Sequence, residues 1–297
     1  MTGRGTAVTV GTFDGVHLGH HEILARLHHT ARASGLTSLL VTFASHPLAL
    51  LNPPAAPQLL TTHREKLAAL SGCPVDRVAV LPFTPALAAL SAGEFVERVL
   101  VEQLGMRSLL IGHDHGLGRG REGDEKLLRA LGERRGFPVE VLPAVQDASG
   151  SAVSSSAIRH AVSSGALDLA AAGLGRRYSI TGGVIGGDRR GRLLGFPTLN
   201  VALAAEKLLP PNGVYAARVF TPGGMFGAML NLGPRPTFGD QSVSLEAHLF
   251  DADGEWYGQT VSVELVSRLR DTMKFAGPEA LVAQLHADAD SARLALT

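Results

Sequence analysis

Two histidines stand three residues apart in the stretch GTFDGVHLGH, Gly11 to His20, between a short β-branched run and an amphipathic one. His17 and His20 can donate ring N–H groups to a polyphosphate and stabilise charge growing on a leaving pyrophosphate. Gly15 and Gly19 let the backbone approach such a ligand closely. A helix starting here adds unpaired N–H groups and partial positive charge, which together bind phosphate. The spacing matches neither the P-loop pattern nor the dinucleotide fingerprint. On its own, the stretch also fits a glycine turn with two surface histidines.

Other segments carry related chemistry. In VSSSAIR, Val153 to Arg159, Ser155 or Ser156 can cap a helix. Arg159, in the first turn, can grip phosphate oxygens bidentately. A plain capped helix would look the same. The loop Ile111 to Asp124 sets glycines and basic residues after a strand. His113, Asp114 and His115 have metal-binding types, but adjacent residues in one loop rarely converge on one ion. A nucleotide-facing loop is the better expectation.

A second glycine-rich segment, GGVIGGDRRGRLLGFPTLN, runs from Gly182 to Asn200. Its glycines, Gly187 and Gly191 among them, fit turns that cover a polyphosphate with backbone N–H groups. They equally fit an ordinary hairpin. Thr198 and Asn200 offer oxygen ligands on one side of an extended segment. Such hard donors beside phosphates suit Mg²⁺. No P-loop lysine accompanies them, so this is not a standard NTPase. The stretch Asp251–Gly254 has the look of a calcium loop. Its twelfth position is Ser262 rather than Glu, so a hairpin turn is expected.

These groups must be held by two kinds of framework. Up to about residue 172, the apolar runs Ala7–Val10, Ser38–Phe43, Val78–Leu81, Ser108–Gly112 and Val139–Leu142 read as strands. Helical patterns at His21–Ser34, His63–Leu70, Ala92–Leu104 and Glu125–Arg134 separate them, which argues for a parallel α/β sheet. Ligands of such sheets bind at the carboxyl ends of the strands, where GTFDGVHLGH falls. Ser156–Ser164 and Leu167–Leu174 read as further helices. Strands then dominate, at Tyr178–Ile185, Gly213–Phe220, Met225–Asn231, Ser242–Phe250 and Thr260–Leu269, before a closing helix, Pro278–Leu296. Sheet without crossover helices suggests an antiparallel barrel or sandwich. Two domains are expected, residues 1–174 and 175–297.

The bulk numbers agree with a globular protein. The 297 residues are 45 % hydrophobic and 18 % charged, with formal net charge +0. Balanced charge and 5 % aromatics argue against nucleic acid as a partner. One cysteine fits a reducing cytoplasm, and no apolar run approaches the length of a membrane span, so no membrane partner is expected.

VTVGTFDGVHLGHHEIL, VTFASHP, LTTHREKLAAL, LPFTPALAALSAGEFVERVL and VSSSAIR together resemble, in order, the bacterial bifunctional riboflavin kinase/FMN adenylyltransferases, or FAD synthetases. His17-Leu18-Gly19-His20 is similar to the H-x-G-H signature of the nucleotidyltransferase superfamily. GFPTLN resembles the Pro-Thr-Ala-Asn motif of riboflavin kinases, with Leu199 in the alanine position. PPNGVYAARV, NLGPRPTFG, EAHLFDADGEWYG and RLRDTMKF extend the likeness. It implies a nucleotidyltransferase-like domain followed by a six-stranded antiparallel barrel with a C-terminal helix. It implies ATP contacts from the turn, including Gly11, Phe13, Asp14 and Gly19, and from Asp114, Ser155, Ser156 and Arg159. Phe43, His46 and Pro47 would lie near the flavin, though His46 before a proline also fits simple turn chemistry. The chain departs from the family's usual residues at His115-Gly116-Leu117 and at Gly186-Gly187.

The implied activity has two steps: riboflavin and ATP give FMN, then FMN and ATP give FAD and pyrophosphate. An FMN phosphate, with a second pKa of about 6, is already anionic and needs alignment more than a base. The riboflavin hydroxyl is a weak acid and benefits from a carboxylate. The resemblance makes Glu246 that base, although a glutamate on a half-buried strand is otherwise a plain solvated position. Arg270 is implied as a phosphate or flavin clamp. The alternative is a single-activity adenylyltransferase with a flavin-binding or regulatory second half. Thr198, Asn200 and Glu246 together argue against it.

Overall fold

A computed structural model describes residues 5–113, 116–147, 150–187, 190–234 and 243–297. The chain divides into two compact units, Met1–Ser155 and Ser156–Thr297.

The first unit alternates strands and helices: β1 (Thr6–Val10), α1 (Leu18–Ala33), β2 (Thr37–Phe43), α2 (Pro47–Leu51), α3 (His63–Leu70), β3 (Arg77–Leu81), α4 (Pro85–Ala88), α5 (Ala92–Glu94), β4 (Met106–Gly112), α6 (Glu125–Arg135) and β5 (Val139–Leu142). The strands pair in parallel in the order β3-β2-β1-β4-β5. They are apolar because both faces are covered. One face packs Val8, Val10, Leu39 and Val41 against Phe95, Val99 and Leu100; the other packs Ala7 and Leu40 against Leu24 and Leu27 of α1. Strand order reverses between β1 and β4, which places the ligand crevice of this topology at their carboxyl ends.

Two helix expectations change. α1 begins at Leu18, so His17 is its N-cap and His20 lies in its first turn. The expected helix Ala92–Leu104 is α5 followed by a wider-turned π-helical stretch, Phe95–Gln103. In that stretch the Leu104 N–H reaches back five residues to the Val99 carbonyl.

The second unit carries α7 (Ser155–Ser163, whose first residue belongs to the first unit), α8 (Leu167–Leu174), β6 (Ser179–Ile185), α9 (Arg190–Leu193), β7 (Leu199–Val201), β8 (Gly213–Thr221), β9 (Gly224–Pro234), β10 (Val243–Leu249), β11 (Thr260–Arg270) and α10 (Pro278–Leu296). The six strands close an antiparallel barrel in the order β10-β7-β6-β11-β8-β9. Alternation sends Leu230, Leu232, Leu245 and Ala247 inside, all fully buried. α10 lays Leu285, Ala289, Ala292 and Leu296, one helical stripe, over Val214, Ala216, Met229 and Val266 on the outer face. α8 packs on β11. The stretch Asp251–Gly254 is not a hairpin turn, because β10 and β11 are not paired. Asp251 takes φ 54° there, and its carboxylate receives both terminal nitrogens of Arg293 at 2.8 and 3.0 Å. Among the described residues no helix is long and apolar enough to cross a membrane.

Candidate active sites

The β1–α1 turn is wound tightly. Phe13, Gly15 and Val16 have φ of 50°, 83° and 40°. That conformation is costly for a β-branched residue, about 1–3 kcal/mol each where a non-glycine adopts it, and it persists only where neighbours enforce it. Asp14 is one enforcer. Its buried carboxylate accepts from the Leu60 and Thr61 N–H groups, both at 3.0 Å, and from the Thr61 hydroxyl at 3.1 Å. The Gly15 N–H in turn donates to Thr61 Oγ1 at 3.0 Å. Lys66 is another. Its ammonium, buried at the ends of β1 and β2, donates to the carbonyls of Thr12 (3.1 Å) and Phe43 (2.7 Å). Burial holds its pKa below the usual lysine value, opposed by Asp14. Neither Thr61 nor Lys66 carries a sequence signal beyond lying in the LTTHREKLAAL segment.

The histidines occupy the mouth of this turn. The His20 ring stacks on His17 with centroids 3.7 Å apart and on Phe13 at 4.4 Å. The His17 N–H points to His20 Nδ1 at 3.3 Å. Burial, then the neighbouring His17, holds the His20 pKa well below 6.5. A neutral His20 that accepts at Nδ1 carries its proton on Nε2 and presents it as a donor. Gly19 packs tightly: a Cβ there would lie 3.1 Å from His17 Cε1. A Cβ at Gly11 would meet the Phe13 ring at 3.0 Å.

Ser155 of the VSSSAIR segment comes to this turn. The Ser155 hydroxyl donates to the Asp14 carbonyl at 2.9 Å across 141 residues of sequence. Ser155 opens α7, Ser156 follows it exposed, and Arg159 lies one turn further along. Asp114 lies outside the described residues. On the strand-β2 side, Phe43 is buried and meets Phe83 edge-on at 5.2 Å. His46 caps α2, its Nδ1 accepting from Leu48 N at 3.2 Å, with Pro47 at the first helical position.

In the barrel, Glu246 and Asn200 are direct cross-strand partners, so both side chains stand on the outer face. Asn200 is 9 % exposed. The glycines around it make room. A Cβ on Gly187 would fall 2.2 Å from Asn200 Nδ2, and one on Gly191 2.2 Å from the Phe196 carbonyl. Phe196 is gripped between His248 and His286, at 5.1 and 5.0 Å. The His248 Nδ1 contacts the Pro197 carbonyl at 2.8 Å, steadying the segment that carries Thr198. Arg270 ends β11. Buried Asp288 of α10 holds its guanidinium through two nitrogens, Nε and Nη2, at 2.6–3.1 Å, and Gln284 donates to the same carboxylate at 2.8 Å. Asp288 went unread in the sequence, where it is one acid among several on a solvated-looking helix. Among the described residues no group of three or more His, Cys, Asp or Glu side chains is placed to hold a metal. Any cation at Asn200 would therefore rely on neutral oxygens, one carboxylate and ligand phosphates.

A parallel sheet with a strained, histidine-capped helix start at its switch point, joined in sequence to a barrel bearing a carboxylate beside an amide, is the frame of a two-module enzyme of nucleotide chemistry. Comparison with known proteins gives the family. The FAD synthetase model matches residues 1–157 and the riboflavin kinase model residues 174–296. The bifunctional riboflavin kinase/FMN adenylyltransferase of Pseudomonas fluorescens is 40 % identical over 98 % of this chain and 93 % of its own. That of Escherichia coli K12 is 38 % identical over 98 % and 92 %. A crystal structure described as a macrolide-efflux protein from Streptococcus pneumoniae superposes with a TM-score of 0.87 at 29 % identity, covering 99 % of this chain and 95 % of that one. The chain belongs to the bifunctional riboflavin kinase/FMN adenylyltransferase family, with the adenylyltransferase module first and the kinase module second.

Proposed function

We propose that this protein makes FAD from riboflavin in two ATP-dependent steps, using two separate sets of residues. The observation that carries the kinase assignment is the register pairing of Glu246 with Asn200. Glu246 takes the proton from the riboflavin hydroxyl as its oxygen attacks the γ-phosphorus and ADP leaves. Thr198 and Asn200 would hold Mg²⁺. The donor types fit, and the space kept open at Gly187 leaves the Asn200 amide its position. When bound, the ion would offset charge on the ATP phosphates. Arg270 binds an anionic or flavin group at the β11 end.

In the first module, the FMN phosphate attacks the α-phosphorus of ATP and pyrophosphate leaves. His17, the Nε2–H of His20 and the first N–H groups of α1 bind the departing phosphates, and Arg159 adds charge. Asp14 and Ser155 act by fixing the turn. Phe43, His46 and Pro47 lie on the flavin side, and Asp114 is assigned to the nucleotide. The single cysteine supports a cytoplasmic setting.

The test is product analysis by chromatography with riboflavin and Mg²⁺-ATP. The wild type forms FMN and then FAD. Glu246→Gln forms no FMN, losing ~10²–10⁴-fold, but still converts supplied FMN to FAD. His17→Ala with His20→Ala does the reverse. Riboflavin phosphorylation by Glu246→Gln within threefold of wild type removes the base assignment.

A further inference from the structure

The barrel's register aligns one residue from each of five strands across its outer face. Arg270 of β11 pairs with Val214 of β8, Val214 with Asn231 of β9, Asn231 with Glu246 of β10, and Glu246 with Asn200 of β7. Directly opposed residues share a face and hold their Cβ atoms about 4.5–5.5 Å apart. Asn200, Glu246 and Arg270 already have roles in the proposed kinase step. Asn231 has none, yet it is the other neighbour of Glu246.

Three observations bear on it. Asn231 is exposed, while Leu230 and Leu232 on either side are fully buried in the barrel, so its amide faces outward. Among the described residues, the Asn231 amide makes no hydrogen bond that would give it a purely structural task. It also stands on the side of Glu246 away from Asn200 and the glycine segment. That side matters. In an in-line transfer the alcohol extends away from the phosphate donor. If the nucleotide lies on the Asn200 side, the rest of the alcohol passes over Asn231. The alcohol carries further hydroxyls, which both donate and accept. An amide does both, whereas a carboxylate only accepts.

We propose that Asn231 contacts substrate in the kinase step, hydrogen-bonding the hydroxyl chain of riboflavin next to the hydroxyl that Glu246 deprotonates. This rests on the kinase reading given above. Asn231→Ala should raise the riboflavin KM about tenfold, the loss of one good hydrogen bond. The ATP KM, conversion of supplied FMN to FAD, and the melting of the barrel should stay as in wild type. Asn231→Asp keeps the shape but sets a second carboxylate beside Glu246. Unable to donate, it should restore only part of the lost affinity for riboflavin. A riboflavin KM within twofold of wild type in Asn231→Ala overturns the inference. So does a rise in the ATP KM instead, or full recovery of the riboflavin KM in Asn231→Asp. A wild-type protein that forms no FMN would instead bring down the kinase reading itself.

Discussion

Asp288→Ala should loosen the barrel measurably, because it strips a buried acid from the arginine it holds. The Asp288 side chain is 4 % exposed and that of Arg270 21 %, with contacts as short as 2.6 Å. Removing one partner of a fully buried pair costs about 3–5 kcal/mol. The partial exposure of Arg270 lets water reach the orphaned guanidinium, so the lower end, about 3 kcal/mol, is expected. For a unit of this size that is roughly 6–12 °C in melting temperature. Trp256 is the chain's one tryptophan, is buried and packs on Phe226 at 5.6 Å, so its emission reports on the barrel. Asp288→Glu should recover part of the loss. Replacing both partners, with Arg270→Met and Asp288→Leu, should recover more, since it leaves no buried charge. The single variant should also raise the riboflavin KM, as Arg270 loses its anchor. A Trp256 melt within 1 °C of wild type would sink the reasoning.

Gly187→Ala should cut FMN formation by about 10²-fold, because displacing Asn200 by an ångström misplaces the phosphate donor. Gly186→Ala, whose Cβ meets no described atom within 4 Å, is the control, and equal losses from both would refute the steric account. Stability of the first module should fall as pH drops below 6.5. The His20 pKa is lowered in the folded state, so between that lowered value and 6.5 only the unfolded chain takes up the proton. Urea melts at pH 7.5 and 5.5 check this, and a His20→Asn variant should show a smaller difference between them. A fragment of residues 156–297 should fold and make FMN, while 175–297 should be less stable by about 4 kcal/mol for lack of Leu167, Ala170 and Leu174 of α8, which are buried. Equal Trp256 melts for the two fragments would detach α8 from the barrel's core.

How much of this was legible in the sequence depends on the range of the interaction. His63–Leu70 was readable because Thr62 and Glu65 form a capping box, a signal four residues long. α1 was placed three residues late because its cap is a histidine, not one of the usual small polar caps. β7 has only three residues, too few for an alternation to show. It becomes a strand by pairing with β6 and β10, which no local pattern announces. The site residues were nameable from motifs, but their supports were not. Thr61 under Asp14, Lys66 under Thr12 and Asp288 behind Arg270 act across 18 to 54 residues of sequence. Each is a common residue type in an ordinary amphipathic or polar context until the fold brings it to its partner.

Those supports also decide what kind of charge the first module offers its substrate. Candidates for positive charge around the turn include His17, His20 and Lys66. Lys66 is spent on protein oxygens, since its ammonium is held by the carbonyls that end β1 and β2. It shapes the turn rather than meeting a ligand. His20 is neutral at pH 7, because burial and His17 both oppose its protonation. In the proposed mechanism, what the turn itself offers a phosphate is then mostly oriented N–H dipoles, from the ring of His20 and from the first turn of α1. Dipoles fixed by stacking and backbone strain need no reorganisation when the leaving group gains charge, which is where preorganised stabilisation counts most. In the mechanism proposed above, the strained, lysine-braced turn would favour the state in which the pyrophosphate is departing, the kind of binding that accelerates the transfer.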